Sequence, residues 1–190
     1  MSAYLREIPE IFYSSETGAP IKHCKVCNEY LLDGTDYVIE KSMVHYPSSN
    51  TTDLIYEFAI CMDCMEKAMA EYSKESQQKM NQYFLNHMNF ERQRDLIQTE
   101  NLDYNEWLSE CLITGKAKEK CSQFQICAQC VGGMMVFEHT PFLISGEAMD
   151  EVIQLLSNQT LGAMNDFRDR HFPPPEDLSP LFYDKDFVLI

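Results

Sequence analysis

Hydrophobic positions along the chain fall into two kinds of run, one short and rich in β-branched and aromatic residues, the other spaced by three and four. Residues 37–44 read as a strand, residues 54–60 as a second, and the polar stretch 47–53 as the loop that lets them pair as a hairpin. Residues 63–89 hold no Gly or Pro, and Met65, Met69, Tyr72, Met80, Tyr83 and Phe84 recur at helical spacings. Ser76 and Lys79 interrupt that stripe, so the spacing predicts a long helix that bends or breaks near its middle. Beyond Phe90 the chain is polar until a short helix over residues 103–110, which carries the one tryptophan, Trp107. Residues 123–130 and 134–137 flank Gly132-Gly133 and read as another hairpin, with a further strand at 141–144. Ser145 caps a helix with Val152, Leu155 and Leu156 inward, and after Asn158 a helical stretch carries Leu161, Met164 and Phe167 until Pro173-Pro174-Pro175 stops it. Residues 1–20 are a lead-in closed by the turn signal Thr17-Gly18-Ala19-Pro20, and residues 187–190 read as a terminal strand. The fold class predicted is α+β, with a soft boundary near residue 100 between parts 1–100 and 101–190.

Charge narrows the partners. Thirty acidic side chains against 15 basic ones give a net charge of -15, spread over both parts. A field of that sign repels phosphate backbones, and the lysines at 116, 118 and 120 lack interleaved aromatics, so nucleic-acid binding is disfavoured and a protein partner is expected. The N-terminal stretch lacks a basic segment followed by an apolar one, and no run of 18 residues is free of charged or strongly polar groups. The expectation is a soluble, cytoplasmic protein whose thiols stay reduced, where cysteines are metal ligands or free groups more often than disulfides.

Eight cysteines then carry the chemistry. Cys24/Cys27 and Cys61/Cys64 are two C-x2-C pairs separated by the first hairpin. Two intervening residues let a tight turn aim both sulfurs at one ion, and two such turns supply the tetrahedron of thiolates that Zn(II) accepts. The second pair stands where a strand gives way to a helix, so the positive helix end lies behind its sulfurs and favours the thiolates. A knuckle, a hairpin and a helix bearing the last two ligands resembles the treble-clef class of zinc-binding units over roughly residues 21–89. The resemblance is one of layout, and such units serve many functions, so it implies no activity. A four-sulfur site leaves no open coordination position and implies a structural metal. His23, beside Cys24, reads as a surface histidine because four better-spaced sulfurs are at hand.

Cys111, Cys121, Cys127 and Cys130 form a weaker candidate for a second site. Cys127 and Cys130 fall on a strand, where residues three apart point to opposite faces and cannot both grip one ion without distortion. Small buried thiols are the favoured reading of this set. The alternative is a degenerate duplication: residues 126–130 echo residues 60–64, and Cys111-Leu112-Ile113-Thr114 resembles a first knuckle with Thr114 marking a lost sulfur.

Signatures of catalysis are sparse. The five histidines form no H-E-x-x-H pattern, His87 and Glu91 lack its second histidine, and no glycine-rich phosphate loop occurs. The leading expectation is a non-catalytic zinc protein that scaffolds protein contacts. An enzyme with a cleft between the two parts, lined by groups such as Glu138, His139 or Asp166, is the second; a zinc-knuckle nucleic-acid binder is the third.

Overall fold

The computed structural model describes residues 4–46 and 48–172. The proline stop and the expected terminal strand at 187–190 lie outside the described residues. The architecture is a mixed α+β fold with one six-stranded antiparallel sheet and six α-helices among the described residues. The strands are β1 (Tyr4–Glu7), β2 (Asp36–Tyr46), β3 (Thr51–Cys61), β4 (Gln123–Val131), β5 (Met134–Phe137) and β6 (Phe142–Ser145). The helices are α1 (Met62–Ala70), α2 (Lys74–His87), α3 (Phe90–Gln98), α4 (Tyr104–Trp107), α5 (Gly146–Leu155) and α6 (Asn158–His171).

The sheet runs β1-β5-β4-β2-β3, with β6 also on β4, so its central pair joins one strand from each part of the chain. Strand β2 is buried continuously from Tyr37 to Ser42, as expected where a strand is covered on both faces. That burial takes in Lys41, whose ammonium meets the Glu57 carboxylate at 2.8 Å from the position directly opposite on β3. The same carboxylate accepts from the backbone N–H of Ser15 at 2.7 Å, which ties the lead-in segment to the sheet. The hairpin is longer than expected. Residues 51–53 belong to β3, and pairing continues to Tyr46 and Thr51 across a bulge at Ser42/Met43.

The long helix divides at residues 71–73, ahead of Ser76 and Lys79, because Ser73 starts a new helix with its hydroxyl accepting from the Ser76 N–H. The polar stretch beyond Phe90 contains α3, capped by Asn89, and the helix expected over 103–110 is the single turn α4, capped by Asp103. Strand β1 was not expected either; it pairs with β5, Tyr4 facing Phe137. Trp107, Tyr37, Phe12, Phe124 and Phe137 are the largest fully buried side chains and belong to one cluster that underlies both parts. Helices cross between the parts. Met80 and Tyr83 of α2 pack with Val152 of α5, and Met164 of α6 packs on Tyr72 just after α1.

Candidate metal centre

The segment before β2 folds into a tight knuckle. The Cys24 N–H donates to the Glu29 carbonyl at 2.9 Å, the Asn28 N–H returns to the Cys24 carbonyl at 2.9 Å, and a single antiparallel bridge joins His23 to Tyr30. Asn28 takes the left-handed conformation that closes the turn, φ 63°, which asparagine tolerates better than most residues. The Lys25 N–H donates to the Ala59 carbonyl at 2.8 Å, so the knuckle is laced to β3 two residues before that strand ends. At that end Cys61 adopts the extended N-cap conformation, and Cys64 lies in the first turn of α1.

These two anchors bring four sulfurs together. The Sγ atoms of Cys24, Cys27, Cys61 and Cys64 all lie within 4.8 Å of one another, with Cys27 and Cys61 at 3.7 Å. Four sulfurs bound at about 2.3 Å to one tetrahedral ion are about 3.8 Å apart along each edge, so the spacing fits zinc. It does not fit a disulfide, which needs about 2.05 Å, and all four thiols are free. Three of the cysteines are buried and Cys27 is exposed.

Electrostatics point the same way. Burial raises the Cys24 thiol, but N–H groups of Cys27, Cys61 and Val26 outweigh it and lower the group to about 7. Burial and the neighbouring sulfur Cys27, together with the charge of Cys24, push Cys64 up to about 11, and burial leads the larger rise at Cys61. Four thiols held this close ionise together only if a cation offsets their mutual repulsion. Lys25 sits between the knuckle cysteines with its ammonium 5.3 Å from the Phe172 ring centroid. His23 stays outside the group, its Nδ1 3.2 Å from the Asn28 carbonyl and its ring edge-on to Tyr30.

The second set of cysteines does not assemble. The group formed by Cys24, Cys27, Cys61 and Cys64 is the one of its kind among the described residues. Cys127 and Cys130 lie on β4, opposite Glu40 and Tyr37 of β2, and strand alternation sends them to opposite faces. Burial pushes both thiols up, Cys130 to about 12. Cys121 approaches the Ala117 carbonyl at 3.5 Å, and Cys111 accepts from the N–H groups of Ser145 and Thr114 at 3.2 and 3.4 Å.

A cleft of about 100 Å³ opens beside the four-sulfur group, between α1 and α6, with Cys64, Lys67, Tyr72, Phe167, Arg170 and His171 in its walls. None of Glu138, His139 and Asp166 lines it, and all three are exposed. His171 was not singled out by sequence. Burial lowers its imidazole, with Arg170 and Lys25 adding to the effect. No helix among the described residues is long and apolar enough to cross a membrane. Comparison of the chain with protein-family models, curated proteins and solved structures gives no match.

Proposed function

We propose that this chain is a non-catalytic zinc protein: Cys24, Cys27, Cys61 and Cys64 hold one Zn(II) as a closed tetrathiolate, and the metal clamps a scaffold for protein contacts. The observation that carries the reading is the mutual approach of four sulfurs from two distant turns, one edge at 3.7 Å. A knuckle laced to β3, then a hairpin, then a helix with two cysteines at its start supports the treble-clef reading. With all four positions filled by sulfur, no site remains for substrate or activated water, which favours a structural over a Lewis-acid role. The surplus of 15 negative charges supports a protein partner over nucleic acid. Eight cysteines with no disulfide among the described residues suit a reducing, cytoplasmic setting.

Native mass spectrometry of the purified chain tests the assignment. About one zinc per chain is expected, lost in the Cys27→Ser/Cys64→Ser variant, and stripping it with a strong chelator should lower the melting temperature, because structural zinc contributes on the order of 10 kcal/mol. A metal-free chain that melts where the metal-loaded one does defeats the proposal.

A further inference from the structure

We propose that the chain is two copies of one knuckle, strand-pair and two-helix unit, and that Cys111, Thr114, Ser145 and Ala148 are the second copy's metal site with three of its four sulfurs replaced. The inference rests on the zinc reading only for the kind of ion, a divalent cation that takes thiolates.

The knuckles match bond for bond. The Cys111 N–H donates to the Lys116 carbonyl and the Gly115 N–H to the Cys111 carbonyl, repeating the bonds that Cys24 makes with Glu29 and Asn28. The Lys118 N–H donates to Ser109 as that of Leu31 does to Lys22, and a single bridge joins Glu110 to Ala117 as one joins His23 to Tyr30. Gly115 stands at φ 65° where Asn28 stands at φ 63°. Position 111 is 87 beyond 24, as 115 is beyond 28 and 118 beyond 31.

Strands β2 and β4 extend the same offset and pair with each other. Glu40 faces Cys127, its own counterpart, and Tyr37 faces Cys130 while their counterparts Phe124 and Met43 also face each other. A strand pair that maps onto itself in this way has a local two-fold axis, here at Glu40/Cys127. Cys127 and Cys130 are therefore counterparts of Glu40 and Met43, and their likeness to Cys61 and Cys64 is not structural.

Beyond the strand connections the offset becomes 84. The Leu112 N–H donates to the Leu143 carbonyl as that of Lys25 does to Ala59. Ser145 ends β6 and caps α5 just as Cys61 ends β3 and precedes α1. Helices α2 and α6 each run 14 residues, and their caps exchange equivalent bonds: the Ser73 N–H donates to Thr160 Oγ1 at 3.0 Å and the Ser157 N–H to Ser76 Oγ at 2.9 Å.

The equivalence extends to the sulfur itself. Cys24 Sγ accepts from the Cys61 N–H at 3.5 Å, and Cys111 Sγ accepts from the Ser145 N–H at 3.2 Å. Cys111, Ser145 and Ala148 are buried and Thr114 is exposed, the pattern of Cys24, Cys61, Cys64 and Cys27. The second half thus keeps the cradle for an ion, with Cys111 as the retained sulfur.

The test restores the missing sulfurs. The Thr114→Cys/Ser145→Cys/Ala148→Cys variant and the unaltered chain are titrated with Co(II), read by thiolate charge-transfer and visible absorption and by metal content after gel filtration. The variant is expected to take up about one more cobalt per chain than the unaltered protein, with tetrahedral four-sulfur absorption. A variant of unchanged circular dichroism that takes up no more than the unaltered chain overturns the inference. An unaltered chain that binds none beside a variant that binds one defeats the zinc reading and leaves the duplication standing. Should the triple variant not fold, Ser145→Cys/Ala148→Cys retains Thr114 and offers three sulfurs. The same added cobalt is then expected with water completing the shell, and its absence is again decisive against the inference.

Discussion

Ser73 and Ser157 meet through their hydroxyls at 2.9 Å while each caps its own helix, Ser73 accepting from the Ser76 N–H and Ser157 from the Thr160 N–H. The starts of α2 and α6, far apart in sequence, are therefore fixed by one shared cluster of hydroxyls. Ser73→Ala and Ser157→Ala should each destabilise by about 1 kcal/mol through loss of a cap. The double variant should cost less than the sum, because the first substitution already breaks the contact between them. Urea unfolding of the four proteins measures this, and strict additivity would mean that the caps act independently.

Lys41 and Glu57 form the least exposed ion pair of the molecule's described part, at 6% and 14% side-chain exposure. Lys41→Met should cost about 3 kcal/mol at neutral pH, since it leaves a carboxylate without its cation, and replacing both residues with apolar ones should recover most of that. Burial raises the Glu57 carboxyl, yet hydrogen bonds from Lys41 and Ser15 outweigh burial and hold it below the ordinary carboxylate range. The pair therefore stabilises the fold above the unfolded pKa of about 4.3, and that contribution is lost as pH falls through the lower folded value. The gap in unfolding midpoint between wild type and Lys41→Met should hold from pH 7 to about pH 5 and narrow as pH falls below about 4. A constant gap would show that the charge is not what Lys41 contributes.

The readable parts of the sequence were those in which one local rule acts alone. Spacing marked Cys24, Cys27, Cys61 and Cys64 as a set, and the glycine turn at Gly132-Gly133 between two short runs found β4 and β5. Strand β1 escaped because it is an edge strand of mixed polarity whose pairing with β5 spans most of the chain. Helix α3 escaped because Phe-Glu-Arg-Gln-Arg-Asp-Leu-Ile-Gln offers few apolar anchors, its buried position being Gln93, which donates to the His139 carbonyl at 2.8 Å. The repeat was half legible: Cys111 and Thr114 suggest the first knuckle, but the counterparts of Cys61 and Cys64 were misplaced. Cysteines drew the comparison toward residues 126–130, whereas the positions matching Cys61 and Cys64 carry serine and alanine and have no chemical likeness to them. Hydrogen bonds preserve that correspondence; the side chains at 145 and 148 do not.

Metal affinity should depend steeply on pH. With burial and neighbouring sulfurs holding Cys61 and Cys64 protonated at neutrality, binding a cation must expel at least their two protons. Affinity should therefore rise about 100-fold per pH unit between pH 6.5 and 8 and fall equally on acidification. Competition titrations against a chromophoric chelator at several pH values measure the slope. A flat profile would mean that the sulfurs are not the ligands.

Removal of the metal should loosen one helix of the second half more than its neighbours. Phe58 lies three residues before Cys61, and the rings of Phe167 and Phe172 sit 6.5 and 5.1 Å from its own. Lys25, inside the knuckle, lies over the Phe172 ring, its ammonium 5.3 Å from the centroid. Release of the four sulfurs therefore frees both surfaces on which the end of α6 rests. The Met80, Tyr83 and Val152 cluster between α2 and α5 includes none of the four cysteines. Hydrogen exchange after chelation should show protection falling most in Met62–Ala70 and Asn158–His171 and least in Lys74–His87 and Gly146–Leu155. Equal loss across all four helices would instead mean that the ion holds the whole fold as a single cooperative unit.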